Sequence, residues 1–295
     1  MRGFSFASLR LGVRLCAVLG LGLGAWLGAG CGNSPLTVQT YSGSADSTAI
    51  NAHLVLGERS AILVDTGYLR ADADAIVERI RSSGRTLRMI VITHPHPDHY
   101  FGTQVITNAF PGVPVVTSQA VLTDFQASAP GTFAGVKAQL GDLIADALVT
   151  PTALAASEIE LDGRRIRVLQ QPQAGESHAA ILLGLDEPRA LLAGDLVYNN
   201  VHLVLAECQP NGWKQDLDYV RGLGYPSIYP GHGASPATMA ALDADSQYID
   251  RAVTILNAAA TADEAKAQLT AQFPGYAGPA ALNLSVDRYF QGCRN

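Results

Sequence analysis

The sequence predicts an α+β protein: two mixed β-sheets packed face to face with helices on the outside, a four-layer αβ/βα sandwich. Three observations lead there. Short apolar runs alternate with amphipathic segments in two blocks of the 295-residue chain. Each block mixes hairpin with helical patterns, so each forms a mixed sheet whose apolar faces must be covered. Residues with metal-ligand chemistry fall at strand ends, in loops rich in Gly or Pro, where one rim of such a sandwich would collect them.

The elements follow in order. Asn51 to Leu56 and Ala61 to Val64 read as strands, with Gly57-Glu58-Arg59-Ser60 as the turn between them. Asp65-Thr66-Gly67 closes the second strand. A helix follows from Ala71 to Ser83, with Ile76, Val77 and Ile80 on one face and Gly84 as its stop. Met89 to Ile92 is a continuous apolar run, read as a buried strand. A helix from near Gly102 stops before Pro111-Gly112, and Val113 to Val116 is a strand. Ser118 to Leu148 is mostly helical, with a break at Pro130-Gly131. Ile159 and Leu161 alternate before Asp162-Gly163, and Ile166 and Val168 after it, which predicts a hairpin. Strands are expected at Ala179 to Leu185, Arg189 to Ala193 and Ser227 to Tyr229, with an amphipathic helix from Trp213 to Leu223. From about Pro236 onward the chain is helical. Trp213 and Tyr219 are expected as core or rim aromatics.

Composition sets limits. The chain is 48% hydrophobic, enough for a sizeable core. Its net charge is −6, with no run of like charges, which disfavours a nucleic-acid partner. Arg2, Arg10 and Arg14 precede an apolar run from Leu15 to Leu27, and small residues follow up to Cys31. This is the layout of a secretory signal over residues 1–30, too short for a comfortable membrane span. Leu27-Gly28-Ala29-Gly30-Cys31 resembles a bacterial lipobox, although Gly28 stands where a leucine is usual. A lipid anchor at Cys31 would be the one membrane contact; a free periplasmic or secreted protein is the alternative. In an oxidising compartment Cys208 and Cys293 either pair as a disulfide or stay as free thiols. The expected organisation is a catalytic domain over 31–240 with a helical segment, 241–295, packed on it.

The segment Thr93-His94-Pro95-His96-Pro97-Asp98-His99 holds three of the chain's seven histidines. Imidazole and carboxylate are ligands for zinc-like divalent ions. Four donors packed this densely cannot all reach one ion, so the pattern suggests two adjacent metals, activated water and hydrolysis. Further donors stand at later strand ends: His178, then Asp195 in Gly194-Asp195, then His232 in Pro230-Gly231-His232-Gly233. No Gly-x-Ser-x-Gly elbow occurs, so a serine hydrolase is not supported.

On Asp65-Thr66-Gly67, the His94–His99 cluster, Gly194-Asp195 and Gly231-His232-Gly233, the chain resembles the metallo-β-lactamase fold superfamily over nearly the whole mature sequence. The resemblance implies His94, His96 and His178 on a first metal, Asp98, His99 and His232 on a second, and Asp195 bridging them. Two zinc ions are expected, with iron or manganese open. Family members carry a Gly-His-Thr turn before the strand; here the segment reads Gly175-Glu176-Ser177-His178-Ala179, which leaves Glu176 open in place of His178. The implied reaction is attack of a metal-held hydroxide on an ester, lactone or amide carbonyl of a small molecule. Asp98 would orient the nucleophile and pass a proton, and Tyr198 would donate to the oxyanion. Tyr198 and His202 are candidate substrate contacts, Asp65 would order the histidine loop, and His53 would simply pack. A small neutral or apolar lactone or ester fits best. Classical β-lactamases of the fold lack an aspartate at the bridging position. Its glutathione thioesterases grip substrate with basic residues after the last histidine, where this chain has Gly233-Ala234-Ser235-Pro236. An iron-dependent redox enzyme of the same fold, a β-lactamase and a non-catalytic lipoprotein with a vestigial site are the alternatives.

Overall fold

The structure is a computed structural model that describes residues 34–44 and 48–294. The signal segment and Cys31 lie outside the described residues. One sheet is built of β1 (Thr37–Ser42), β2 (Asn51–Leu56), β3 (Ser60–Val64), β4 (Thr86–Val91), β5 (Val115–Thr117) and β6 (Thr152–Ala153), in that order across the sheet. Its first three strands are antiparallel and the rest parallel. The second sheet runs β11-β10-β9-β8-β7, from β7 (Glu158–Leu161), β8 (Arg164–Gln170), β9 (Ile181–Leu185), β10 (Ala190–Asn199) and β11 (Ser227–Gly233). Only its β10–β11 pair is parallel. Helices α1 (Arg70–Ser82), α2 (Pro97–Tyr100), α3 (Thr103–Ala109) and α4 (Gln119–Leu140) follow strands of the first sheet. Helices α5 (Pro210–Leu223), α6 (Met239–Ala258), α7 (Ala262–Gln272) and α8 (Pro279–Gly292) belong to the second half.

The side-chain period of two in strands sorts the core into three interlayer seams. Ile62 and Val64 of β3 face Ile181, Leu183 and Leu185 of β9 and Leu192 of β10 between the sheets. Their neighbours Ala61 and Leu63 point the other way, against Ile76, Val77 and Ile80 of α1. Leu182, Leu191 and Ala193 pack outward with Trp213, Leu217 and Val220 of α5 and with Leu242, Ile249 and Leu256 of α6. Helix, sheet, sheet, helix is therefore the layering, as the alternation predicts. Fully burying one such Ile or Leu contributes roughly 1.5–3 kcal/mol.

The differences from expectation have local causes. The strand β1 is polar and half-exposed along most of its length, an edge strand with no apolar signature. Helix α4 runs unbroken through Pro130, which loses one backbone hydrogen bond on a solvent-facing turn while Val121, Leu122, Phe125 and Ala129 stay anchored in the core. Its start is capped by Ser118, whose Oγ accepts from the Val121 N–H. Strands β10 and β11 continue past their expected ends, with register shifts between Leu192 and Gly194 and between Gly194 and Tyr198. Gly194 at φ 53° and Gly233 at φ 86° supply the backbone freedom this needs. Asp195 and His232 thus sit within bulged strand ends, not in loops beyond them.

Candidate metal centre

The strand β4, buried at its C-terminal end, delivers Thr93 and His94 to the rim, and the short α2 turns Asp98 and His99 back over it. Asp65, at the end of β3 with φ 61°, governs this loop. Its Oδ1 accepts the Thr93 N–H at 2.8 Å, and its Oδ2 accepts the Thr93 hydroxyl at 2.8 Å. The same Oδ2 lies 2.8 Å from His99 Nδ1, and Thr93 Oγ1 lies 3.0 Å from His94 Nδ1. With the Thr93 proton directed to Asp65, Thr93 Oγ1 is left to accept from His94. Both histidines then carry their proton on Nδ1 and turn an Nε2 lone pair inward. Asp65 therefore fixes two tautomers, the ordering role the sequence suggests for it.

His232 follows the same rule. Its Nδ1 faces the Thr48 carbonyl at 3.0 Å, and its Nε2 lies 3.1 Å from Asp195 Oδ2 and 3.3 Å from Asp98 Oδ2. Asp195 stands between the groups. Its Oδ1 is 3.2 Å from His99 Nε2, and its Oδ2 is 3.8 Å from His94 Nε2. Donor atoms of His94, His96, Glu176 and Asp195 lie within 4.8 Å of one another, as do those of Asp98, His99 and His232.

His178 is not brought into this set. Its side chain is 65% exposed and its Nδ1 lies 3.3 Å from Glu207 Oε2. Glu176 takes the inward place, 1% exposed, with Oε1 3.0 Å from His96 Nδ1 and Oε2 3.5 Å from His94 Nε2. The cause is the turn. Gly175 N–H bonds to the Ser177 carbonyl at 3.0 Å, which bends the chain and sends His178 outward. The Gly175 α-carbon packs against the Trp213 backbone, where a Cβ would collide. Asp216 of α5 holds the loop, accepting from Gln173 N–H at 3.0 Å and Gln171 Nε2 at 2.8 Å. Burial pushes the Asp216 carboxyl up to about 6 against these bonds.

Tyr198 is placed differently from a substrate contact. It is buried, stacked on His232, and its hydroxyl donates to Asp195 Oδ2 at 2.8 Å. It holds the central carboxylate. His202 is also away from the centre, its Nδ1 2.9 Å from the Tyr248 hydroxyl in a buried aromatic cluster. His53 packs as expected, between Thr40, Tyr229 and the Pro230 carbonyl. Trp213 is core and donates to the Leu196 carbonyl; Tyr219 is partly buried at the rim.

The fit to divalent cations is tested by what these donors lack. His99 Nε2, Glu176 Oε2 and Asp195 Oδ1 are buried without a hydrogen-bond partner. Such groups are costly unless something satisfies them. Buried carboxylates also need positive charge. Burial opposes charge on His96 and His99, yet Glu176 for the first, and Asp195 with Asp65 for the second, raise both well above an ordinary histidine. Burial likewise opposes charge on His232, but Asp195 and Asp98 bring it to about 10. Converging inward lone pairs on a net-acidic cluster suit divalent ions, which would displace these protons.

A family model described as the metallo-beta-lactamase superfamily matches residues 45–232, spanning the whole centre. The chain belongs to this superfamily. As a metallo-beta-lactamase superfamily member it is 23% identical over 145 residues to a hydroxyacylglutathione hydrolase of Prochlorococcus marinus. That match covers 48% of this chain and about half, 47%, of that relative. A probable metallo-hydrolase of Streptococcus pyogenes is 23% identical over 194 residues, covering 63% of this chain and 79% of the relative. In fold it is similar to a metallo-beta-lactamase family protein from Thermus thermophilus, with TM-score 0.62, 22% identity, and 87% and 93% of the two chains covered. A metallo-beta-lactamase from Pontibacter korlensis gives TM-score 0.56 at 18% identity over 74% and 95%. Superfamily membership and the donor set agree on a divalent-metal centre.

Proposed function

We propose that the protein hydrolyses an ester-like, lactone-like or amide carbonyl of a small molecule with two divalent ions, zinc the expected metal. His94, His96 and Glu176 would hold one ion, Asp98, His99 and His232 the other, and Asp195 would serve both. Bound there, the ions would supply Lewis acidity and a water acidified to near neutral pKa. The observation that carries the reading is two adjacent groups of ligand atoms, each within 4.8 Å of one another, that include the partnerless buried His99 Nε2, Glu176 Oε2 and Asp195 Oδ1.

The chain's own residues supply the rest. Asp98 is the most exposed carboxylate of the donor set, at 14% against 3% for Asp195 and 1% for Glu176. It is the one an incoming molecule meets. Burial works against its charge, but His99 and His232 outweigh this and hold it below the ordinary carboxylate range. It therefore enters as an acceptor, able to orient a water and pass its proton to a leaving group. The Thr48 hydroxyl, donating to Asp98 Oδ2 at 2.8 Å, fixes that carboxylate. Tyr198 holds Asp195 in line.

Export to the periplasm, free or anchored at Cys31, belongs to the same proposal and is supported by the Cys208–Cys293 disulfide. A small-molecule substrate, and no nucleic acid, fits the acidic balance of the chain. A second reading, redox chemistry on iron, is favoured by one feature: two carboxylates and two imidazoles make the first position harder than a three-histidine site.

The test is a hydrolysis screen of lactones, esters, thioesters, phosphoesters and β-lactams with zinc-loaded protein, beside Asp195→Ala. Turnover of one class, lost by at least about 10²-fold in the variant, is expected. Unchanged turnover in Asp195→Ala would overturn the assignment of Asp195. Metal analysis of protein purified without added metal separates the readings, two zinc favouring hydrolysis and one iron favouring redox chemistry.

A further inference from the structure

Three histidines of the centre share a device. One ring nitrogen faces inward and the other rests on a fixed acceptor: Thr93 Oγ1 for His94, Asp65 for His99, the Thr48 carbonyl for His232. His96 is turned the opposite way. Its Nδ1 faces inward, 3.0 Å from both Glu176 Oε1 and His94 Nε2. Its Nε2 therefore carries the proton when Nδ1 gives its lone pair to an ion. The acid facing that Nε2 is Glu207, with Oε1 at 3.5 Å. The other oxygen, Oε2, lies 3.3 Å from His178 Nδ1, so the displaced histidine steadies the same carboxylate.

Glu207 sits in the segment between β10 and α5, and α8 holds that segment down. Leu203 and Leu205 are buried in one core cluster with Leu282, Val286 and Tyr289 of α8. The Leu205 N–H donates to Ser285 Oγ at 2.8 Å. Cys208, next to Glu207 and at φ 59°, is disulfide-bonded to Cys293 at the end of α8, 85 residues away in sequence. A non-glycine residue at that φ stays there when its surroundings hold it.

We propose that Glu207 is a positioning residue of the first metal position, accepting from His96 Nε2 and aiming its Nδ1, and that α8 keeps Glu207 in place through the Cys208–Cys293 disulfide. The proposal rests on the metal reading above. Acceptors behind metal-ligating histidines typically change metal affinity 10- to 100-fold when removed. The distance of 3.5 Å is long for a hydrogen bond.

The test titrates zinc alone into chelator-stripped full-length protein against a chromophoric competitor. Wild type is compared with Glu207→Ala, Glu207→Gln, His96→Ala, the His96→Ala/Glu207→Ala double variant and Cys208→Ser/Cys293→Ser. Glu207→Ala is expected to weaken one of two zinc ions about 10- to 100-fold and leave the other unchanged. Glu207→Gln, which keeps an acceptor oxygen, should recover most of the loss. In the His96→Ala background Glu207→Ala should add nothing, because the two act as a unit. The serine pair should weaken the same ion. Wild-type affinity in Glu207→Ala overturns the proposal, as does an equal loss with and without His96. Equal weakening of both ions, with a lowered melting temperature of the metal-free protein, marks general destabilisation and overturns it too. Unchanged affinity in the serine pair removes the disulfide from it. A wild type that binds no zinc overturns the metal reading itself.

Discussion

A single turn decides which side chain faces the donor cluster. Glu176 and His178 are two residues apart, and the Gly175–Ser177 hydrogen bond sends one inward and the other to solvent. Glu176→Ala should lose one of two bound zinc ions, while His178→Ala keeps both; elemental analysis after dialysis reads the difference directly. The reverse pattern would restore the histidine as ligand. A second residue-scale expectation concerns His53. Burial lowers its pKa to about 4, with the Pro230 carbonyl partly opposing. It is neutral when folded and titrates near 6.5 when unfolded. The unfolded chain thus binds more protons in between, so this stability is present above about 6.5 and lost as pH falls through about 4. Urea denaturation of chelator-treated wild type and His53→Gln at pH 7 and pH 5 should show their difference shrinking by about 1.4 kcal/mol per pH unit below 6.5. A difference that does not move with pH excludes the effect.

At the scale of elements, β10 and β11 matter most, because their bulged ends carry Asp195 and His232. A Cβ at Gly231 would fall on the Asp195 carboxylate and against the Gly194 backbone. Gly231→Ala should cost roughly 1–3 kcal/mol and weaken zinc binding. Gly222→Ala in α5, where nothing lies within 4 Å of the added carbon, should be neutral or gain about 0.5–1 kcal/mol. Equal melting temperatures and zinc affinities in the two variants would contradict this. These strands also mark where sequence patterning stops being informative. A continuous apolar run places Ile62, Val64, Leu183 and Leu192 because burial on both sheet faces imposes it. Such patterning cannot see a strand continuing through a register shift, as after Leu192, nor a polar edge such as β1. Likewise the dense His94–His99 segment is legible because its chemistry is local. Glu176 carries no such mark; its inward turn depends on Gly175 meeting the backbone of Trp213, a contact made only in the folded chain. Glu207 reaches His96 through a disulfide to a residue 85 positions away.

Taken whole, the molecule places its donors on both halves. His94, His96, Asp98 and His99 follow β4 of the first sheet, whereas Glu176, Asp195 and His232 come from the second half. Ions bound only by the native arrangement stabilise it by about 4 kcal/mol at a thousandfold excess over Kd. Chelation should therefore lower the melting temperature, and added zinc should restore it; a melt indifferent to both would argue against occupation of the centre. The same rim is sewn without any ion. The Asn51 side chain of β2 donates to the Pro230 and Gly233 carbonyls of β11 at 3.0 and 2.8 Å, and Ile50 bridges to His232. That seam gives the empty protein a hinge line. Stripped of metal, the chain should keep its halves registered at the β2–β11 stitch and keep residues 201–209 under α8, while residues 171–178 are left to the Asp216 bonds. Amide exchange and protease cutting after chelation should then appear first around residues 171–178, which would make that turn the door through which a newly folded molecule takes up its metal.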